Sequence, residues 1–168
     1  MTTLYAQPYN LDAVGFYFDT LEEYQTQVAN LTDKYGQPVE EFEIQFIDGD
    51  DPALFDACEI NQSNLDVWFD TVEALSDHEK TALYFLCNCQ GYRLENALDK
   101  LDDVSLSESS LRESAEELFD EIYLHDIPES VRFYIDYDKF ARDCEIGGDM
   151  SEFDYNGTTW TCTNASCV

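Results

Sequence analysis

The sequence predicts an α+β fold, built as an elongated chain of three small modules in the order α+β, helical and α+β. β-rich runs flank one helix near the start, serine capping boxes mark helices in the middle, and an Asn-Gly turn between alternating segments marks a hairpin near the end. Hydrophobic residues make up 44% of the 168 residues, which is enough to build a core. We expect the modules at residues 1–60, 61–103 and 104–168.

Three short runs predict the strands of the first module. Residues 3–6 and 14–18 are rich in β-forming residues and are separated by turn residues. Residues 42–46 alternate between apolar and polar side chains, which is the period of a half-buried strand. The turn-rich run that follows, at residues 48–52, is the expected boundary of the strand-containing part.

Helix-start signals organise the rest of the chain. Thr20 precedes two glutamates, which the helix dipole favours in a first turn. Asn61 or Ser63 is expected to cap a helix that extends to residue 75, and Ser76 and Ser110 each open a capping box. Further helices are expected at residues 93–101, after Pro128 and at residues 136–143, with a hairpin at residues 152–161.

The charge of the chain restricts its partners. It has 37 acidic and 8 basic residues, for a formal net charge of -29. Between Lys34 and Lys80 there is no Lys or Arg, whereas 13 carboxylates occur from Glu40 to Glu79. Such a surface repels nucleic acid and anionic membranes, so we expect neither as a partner. Strongly basic surfaces, including those that hold DNA, are the natural partners.

The helix predicted after Ser110 carries charges of one sign. Five carboxylates span eight residue steps, roughly 12 Å, which is about one charge per 2.4 Å. B-DNA carries one charge per about 1.7 Å of axis. Like charges three and four residues apart are unfavourable, so something other than stability is expected to select them. The helix is expected to bury a stripe of Leu111, Ala115, Leu118 and Ile122, and the carboxylates on the opposite side are Glu113, Glu116, Glu117, Asp120 and Glu121.

Catalytic, metal and cofactor chemistry is not expected. Nucleophilic catalysis needs a base held beside a nucleophile, whereas His78 is expected in the first turn of an exposed helix and His125 in a loop before Pro128. Residues 48–59 resemble a calcium-binding loop. However, such a loop needs a ligand at its fifth position, where Pro52 stands, and a glycine at its sixth, where Ala53 stands. The six cysteines are expected to be buried or incidental thiols. No secretion signal or membrane span is predicted, so we expect a cytoplasmic protein with reduced cysteines.

The segment of residues 128–149 resembles the hallmark motif of the ArdA antirestriction proteins. The run at residues 41–48, the acidity and the length are also similar to that family. The motif falls on Pro128, Glu129, Tyr134, Ile135, Asp136, Tyr137, Phe140, Arg142 and Asp143.

The resemblance implies a DNA mimic, associated with mobile genetic elements, that acts without catalysis. It would occupy the DNA-binding groove of a type I restriction-modification enzyme, formed by the methyltransferase core and the specificity subunit. It also implies a homodimer that forms through the C-terminal module. The implied dimer contacts are Phe133, Tyr134, Ile135, Tyr137, Phe140 and Arg142.

The carboxylates expected to contact the partner come from two stretches of the chain. Three alternatives remain open: a general acidic protein that binds any basic partner, a halophilic protein, and a carboxylate-metal hydrolase. They differ in selectivity, in the salt required for folding and in sensitivity to chelation. The expected contact residues are Glu40, Glu41, Asp50, Asp51, Asp56, Glu59, Asp66, Asp70, Glu73, Glu113, Glu116, Glu117, Asp120 and Glu121.

Overall fold

The computed structural model describes residues 2–168, and over these residues the chain has an α+β fold, as predicted. Helices and two small antiparallel sheets form two compact units. One unit ends at Lys80 and the other comprises Thr81–Val168. The division into three modules remains a prediction.

The first unit contains a three-stranded antiparallel sheet in the order β2-β1-β3. The strands are β1 (Thr3–Pro8), β2 (Phe16–Phe18) and β3 (Phe42–Asp48), which confirms all three predicted strands. Leu4 pairs with Phe18 on one side and with Phe46 on the other. Because Leu4 is fully buried, this face of the sheet forms the core of the unit.

Helix α1 (Leu21–Asn30) covers the buried face of the sheet. It begins where the sequence predicts, since the Thr20 side chain accepts a hydrogen bond from the backbone N–H of Glu23. Tyr24 is the buried residue of the helix, and its ring lies 5.0 Å from that of Phe18. An aromatic cluster therefore joins the helix to the sheet.

The helix predicted to extend to residue 75 is shorter than expected and has a different cap. Asn64 occupies the N-cap position and makes no side-chain cap bond. The Asn61 side chain instead accepts the backbone N–H of Ser63, so it stabilises a turn of its own. The prediction of Asn61 or Ser63 as the cap is therefore wrong. The elements here are α2 (Pro52–Ala57), α3 (Leu65–Asp70) and a 3-10 turn at Val72–Ala74.

Helix α4 (Asp77–Tyr84) begins at the predicted capping box. The Glu79 carboxylate accepts the backbone N–H of Ser76 at 2.8 Å, and the Ser76 hydroxyl accepts the N–H of Glu79 at 3.4 Å. The helix runs into a π-helical turn at Phe85–Cys89. Helix α5 (Leu94–Leu98) is shorter than the predicted segment and is followed by a 3-10 turn at Leu101–Asp103.

The second unit contains a sheet in the order β4-β6-β5. Strands β5 (Ser151–Tyr155) and β6 (Thr158–Cys162) form the predicted hairpin. Its turn residues Asn156 and Gly157 have φ values of 49° and 79°, the left-handed conformation that Asn-Gly favours in such turns. Strand β4 (Leu106–Ser107) was not predicted, because two residues are too few to show an alternating pattern.

Two helices pack together in the second unit, α6 (Leu111–Tyr123) and α8 (Tyr137–Gly147), with the short α7 (Glu129–Arg132) between them. The predicted capping box at Ser110 is confirmed. The expectation that Ile122 is buried is wrong, since it is 45% exposed. Phe119 makes the aromatic contacts with α8 instead. The core between the helices contains Ala115, Ala141, Cys144 and Met150.

Candidate acidic interaction surface

Most of the carboxylates expected to contact a partner are exposed, in both units. Their side chains have access to solvent, so they are available to a partner's basic residues. The exposed members are Glu40, Glu41, Asp50, Asp56, Glu59, Asp66 and Asp70 in the first unit and Glu113, Glu117 and Glu121 in the second.

Asp51 is held by the chain itself. Its carboxylate lies 2.8 Å from Nζ of Lys80, and the two side chains are only 14% and 16% exposed. In a largely buried ion pair of this kind, each charge is neutralised by the other. Asp51 is therefore the least suited of the expected contact residues to bind a partner.

Two carboxylates of α6 already have hydrogen-bond partners within the chain. Glu116 accepts a hydrogen bond from Arg112 at 2.9 Å, and Asp120 accepts one from the Tyr137 hydroxyl at 2.6 Å. Both are half-buried. These two carboxylates lie opposite the apolar stripe, as the spacing predicts, but the contacts with Arg112 and Tyr137 leave them less available to a partner than the other three.

The exposed row of α6 consists of Glu113, Glu117 and Glu121. Residues four apart on a helix are separated by about 6 Å along the axis, against about 3.4 Å between phosphates of one DNA strand. The row is therefore sparser than the predicted one charge per 2.4 Å. Hydrogen bonds from the Ser110 backbone N–H and hydroxyl lower the pKa of Glu113, which keeps this carboxylate ionised.

Few basic groups offset these charges. Up to Lys80, the sequence contains no Lys or Arg other than Lys34 and Lys80, and Lys34 lies 2.6 Å from Asp12. In the second unit Arg112 contacts both Glu116 and Asp138, at 2.9 and 2.8 Å. Most of the carboxylates in the described chain therefore have no internal counter-ion.

One acidic cleft in the first unit was not predicted from the sequence. It lies between the start of α1 and the end of α3 and has a volume of about 450 Å³. Glu73 and Asp70 were among the expected contacts, but Asp19 and Glu22, which line the same cleft, were not. Only tertiary packing brings these two segments together, so no local sequence pattern could have identified the cleft.

The residues implied as dimer contacts fall into two groups. Phe133 and Tyr134 are 92% and 81% exposed, so they do not stabilise the fold of their own chain. Tyr137 and Phe140 are half-buried and pack on Phe119, with ring centroids 5.5 and 5.1 Å away. Ile135 is half-buried and Arg142 is exposed. Other large apolar residues exposed in this part of the chain are Val131 and Ile146.

Metal-ligand geometry is not found among residues 2–168, where no three His, Cys, Asp or Glu side chains form a group that could hold an ion. The loop that resembles a calcium site contains helix α2. The cysteines are free thiols, and Cys58, Cys87, Cys144 and Cys162 are buried whereas Cys89 and Cys167 are exposed. Over the same residues, no helix has the length and apolar character needed to cross a bilayer.

The fold and this surface define an α+β protein with an excess of unpaired carboxylates. A family model described as "Antirestriction protein (ArdA)" matches residues 15–157, which is most of the chain. The chain therefore belongs to the ArdA antirestriction family, as the resemblance at residues 128–149 indicated. Membership implies antirestriction activity against type I restriction-modification enzymes, and the members of this family are inhibitors rather than enzymes. A comparison with curated proteins found no match.

Proposed function

We propose that the chain inhibits type I restriction-modification enzymes as a DNA mimic. Its carboxylates take the place of phosphates in the DNA-binding groove formed by the methyltransferase core and the specificity subunit. The observation that carries this proposal is the set of exposed carboxylates without internal counter-ions, on both units of the chain.

The proposed binding to the target enzyme is electrostatic. Lysine and arginine side chains that bind DNA gain from the release of counterions, and an acidic protein that replaces DNA gains in the same way. Rigid elements such as α6 hold their charges in fixed positions, so less ordering is needed on binding. The chain acts by occupancy and needs no cofactor, metal or nucleic acid.

The proposed assembly is a homodimer that acts in the cytoplasm, where its target enzymes meet DNA. Phe133 and Tyr134 support the dimer, because aromatic side chains exposed to this extent are typical of interaction surfaces. Tyr137 and Phe140 contribute mainly by fixing α8 against α6.

A displacement assay with a matched polymer tests the mimicry. Fluorescent DNA that carries a type I target is bound to the methyltransferase core with its specificity subunit. The complex is then titrated with this protein and, separately, with a disordered acidic polymer of equal charge. Displacement at a far lower concentration than the polymer requires supports shape-specific mimicry. Displacement no better than the polymer indicates bulk charge and favours a general acidic interaction protein.

A further inference from the structure

Two loops of the first unit expose large apolar side chains to solvent. One loop joins β1 to β2, and the other joins α1 to β3. Leu11 and Val14 are 97% and 79% exposed on the first loop. Tyr9, at the start of the same loop, is 65% exposed, and Tyr35 on the second loop is 71% exposed. We call these four residues the apolar loop surface.

Hydrogen bonds hold the two loops against each other. The backbone N–H of Lys34 donates to the carbonyl of Asp12 at 3.2 Å, and Nζ of Lys34 lies 2.6 Å from the Asp12 carboxylate. The Asn10 side chain donates to the Asp33 carboxylate at 3.4 Å. Asp33 also accepts the backbone N–H of Tyr35 at 2.8 Å. The apolar residues are therefore grouped on loops that are already ordered, and an exposed group of this kind is typical of an interaction site.

The apolar loop surface is continuous with two of the carboxylates expected to contact the partner. The backbone N–H of Tyr9 donates to the carbonyl of Glu41 at 3.2 Å. Tyr9, Glu40 and Glu41 also line one depression with a volume of about 360 Å³. Both glutamates are exposed. A partner that binds these two carboxylates therefore meets the apolar residues of the loops at the same place.

Charge decides which partner fits this surface. A second copy of the chain would bring the same acidic residues face to face, because a two-fold interface places each surface opposite itself. Anionic membranes are repelled by the same charges. A basic protein surface is instead attracted to Glu40 and Glu41. An apolar centre with a polar rim is also the usual anatomy of an interface between proteins.

We propose that the apolar loop surface docks on an apolar patch of the target restriction-modification enzyme, beside basic residues that receive Glu40 and Glu41. The identity of this partner rests on the proposed function. The contact goes beyond mimicry, because the phosphates of DNA offer no apolar side chain to such a patch. The chain therefore gains affinity from a contact that salt does not screen, in addition to the charge contacts that salt weakens.

The salt dependence of binding tests the apolar contact. The labelled chain is titrated with the methyltransferase core and its specificity subunit at a series of salt concentrations. We expect Leu11→Ser to weaken binding by about tenfold at every concentration, because burial of a leucine contributes affinity of that order. Ile47→Ser is the matched control, since its isomeric side chain is 48% exposed on β3. The control should bind within about twofold of the wild type.

Neutralisation of the neighbouring carboxylates gives the complementary result. Glu40→Gln with Glu41→Gln should make the affinity less steeply dependent on salt, whereas Leu11→Ser should keep the slope of the wild type. Because Leu11 is 97% exposed, its substitution should leave the melting temperature unchanged. Binding of Leu11→Ser that matches the wild type at all salt concentrations would overturn the proposal. A loss that disappears at high salt, or one equal to that of Ile47→Ser, would contradict it as well.

A photo-cross-linking side chain identifies what occupies the surface. The variant Leu11→p-benzoylphenylalanine is irradiated together with the purified enzyme, and the products are analysed by mass spectrometry. A covalent product with an enzyme subunit supports the proposal. A product that contains only a second copy of the chain, or no product with the enzyme, would refute it.

The outcomes for the docking surface and for the proposed function are distinguishable. If the wild-type chain binds the enzyme without displacing DNA, mimicry is wrong, and the effect of Leu11→Ser on direct binding still decides the docking. If the wild-type chain displaces DNA but Leu11→Ser binds as tightly, the docking is wrong and mimicry stands. A wild-type chain that does not bind the enzyme at all would overturn both.

Discussion

At the scale of single residues, the contact between Tyr137 and Asp120 makes stability depend on pH. The hydroxyl of Tyr137 donates to the Asp120 carboxylate at 2.6 Å, and this bond is the main reason that the pKa of Tyr137 is raised to about 12. A folded-state pKa above the unfolded value of 10.0 means that the neutral phenol stabilises the fold. This contribution is complete below pH 10 and is lost as the pH rises toward 12.

Tyr137→Phe is expected to remove this dependence. The variant loses the hydrogen bond, so it unfolds more readily than the wild type at neutral pH. Because only the wild type titrates at this site, the difference between the two should shrink as the pH rises from about 10 to 12. Urea denaturation at a series of pH values measures it. A difference that is constant over this range would show that Tyr137 does not titrate with the raised pKa.

At the scale of elements, one glycine allows the segment that leads into β2 to pack directly against β1. A Cβ on Gly15 would lie 2.4 Å from the backbone oxygen of Ala6 and 2.5 Å from the hydroxyl of Tyr5. Since the Ala6 oxygen belongs to the central strand, the backbone cannot move away without disturbing the pairing of β1 with β2.

Gly15→Ala should therefore destabilise the chain by about 1–3 kcal/mol, the usual effect of forcing extra atoms into a packed site. Gly147→Ala is the matched control, because its Cβ would have only an ordinary contact with Asp149 at 3.5 Å. Chemical denaturation compares the two. Equal stability of both variants would contradict the close approach of Gly15 to β1.

The exposed aromatic residues next to α7 are expected to control dimer formation. Phe133→Ser with Tyr134→Ser should convert a dimer to a monomer and leave the circular dichroism spectrum unchanged, because these side chains are 92% and 81% exposed. Tyr35→Ser, at a residue that is 71% exposed in the first unit, is the control. Sedimentation velocity measures the mass. A dimer that survives the double change would exclude this surface as the interface.

The sequence predicts elements well where the signal is local. The capping boxes at Ser76 and Ser110 and the Asn156-Gly157 turn depend on residues within four positions of each other, and all three are confirmed. Strand β4 and the pairing of Asp120 with Tyr137 depend on distant parts of the chain and were not predicted. In the acidic surface, exposure could be predicted for most carboxylates, whereas the cleft at Glu73 requires the packing of α3 near α1.

At the scale of the whole molecule, the proposed mechanism distributes binding over many charges. Glu117→Ala removes one exposed carboxylate for which the described chain shows no hydrogen bond or ion pair, so inhibition should change by less than about threefold, within the range of an exposed ion pair. Removal of Glu113, Glu117 and Glu121 together should weaken inhibition much more. If Glu117→Ala alone abolished inhibition in a DNA-cleavage assay, the distributed mechanism would be wrong.

The most direct test of mimicry is whether this protein and DNA exclude one another. The apparent dissociation constant of the protein for a type I methyltransferase core is measured at increasing concentrations of target DNA. We predict a linear rise without a plateau, because both ligands occupy the same groove. A rise that levels off would mean that the enzyme binds both at once, and it would contradict the account.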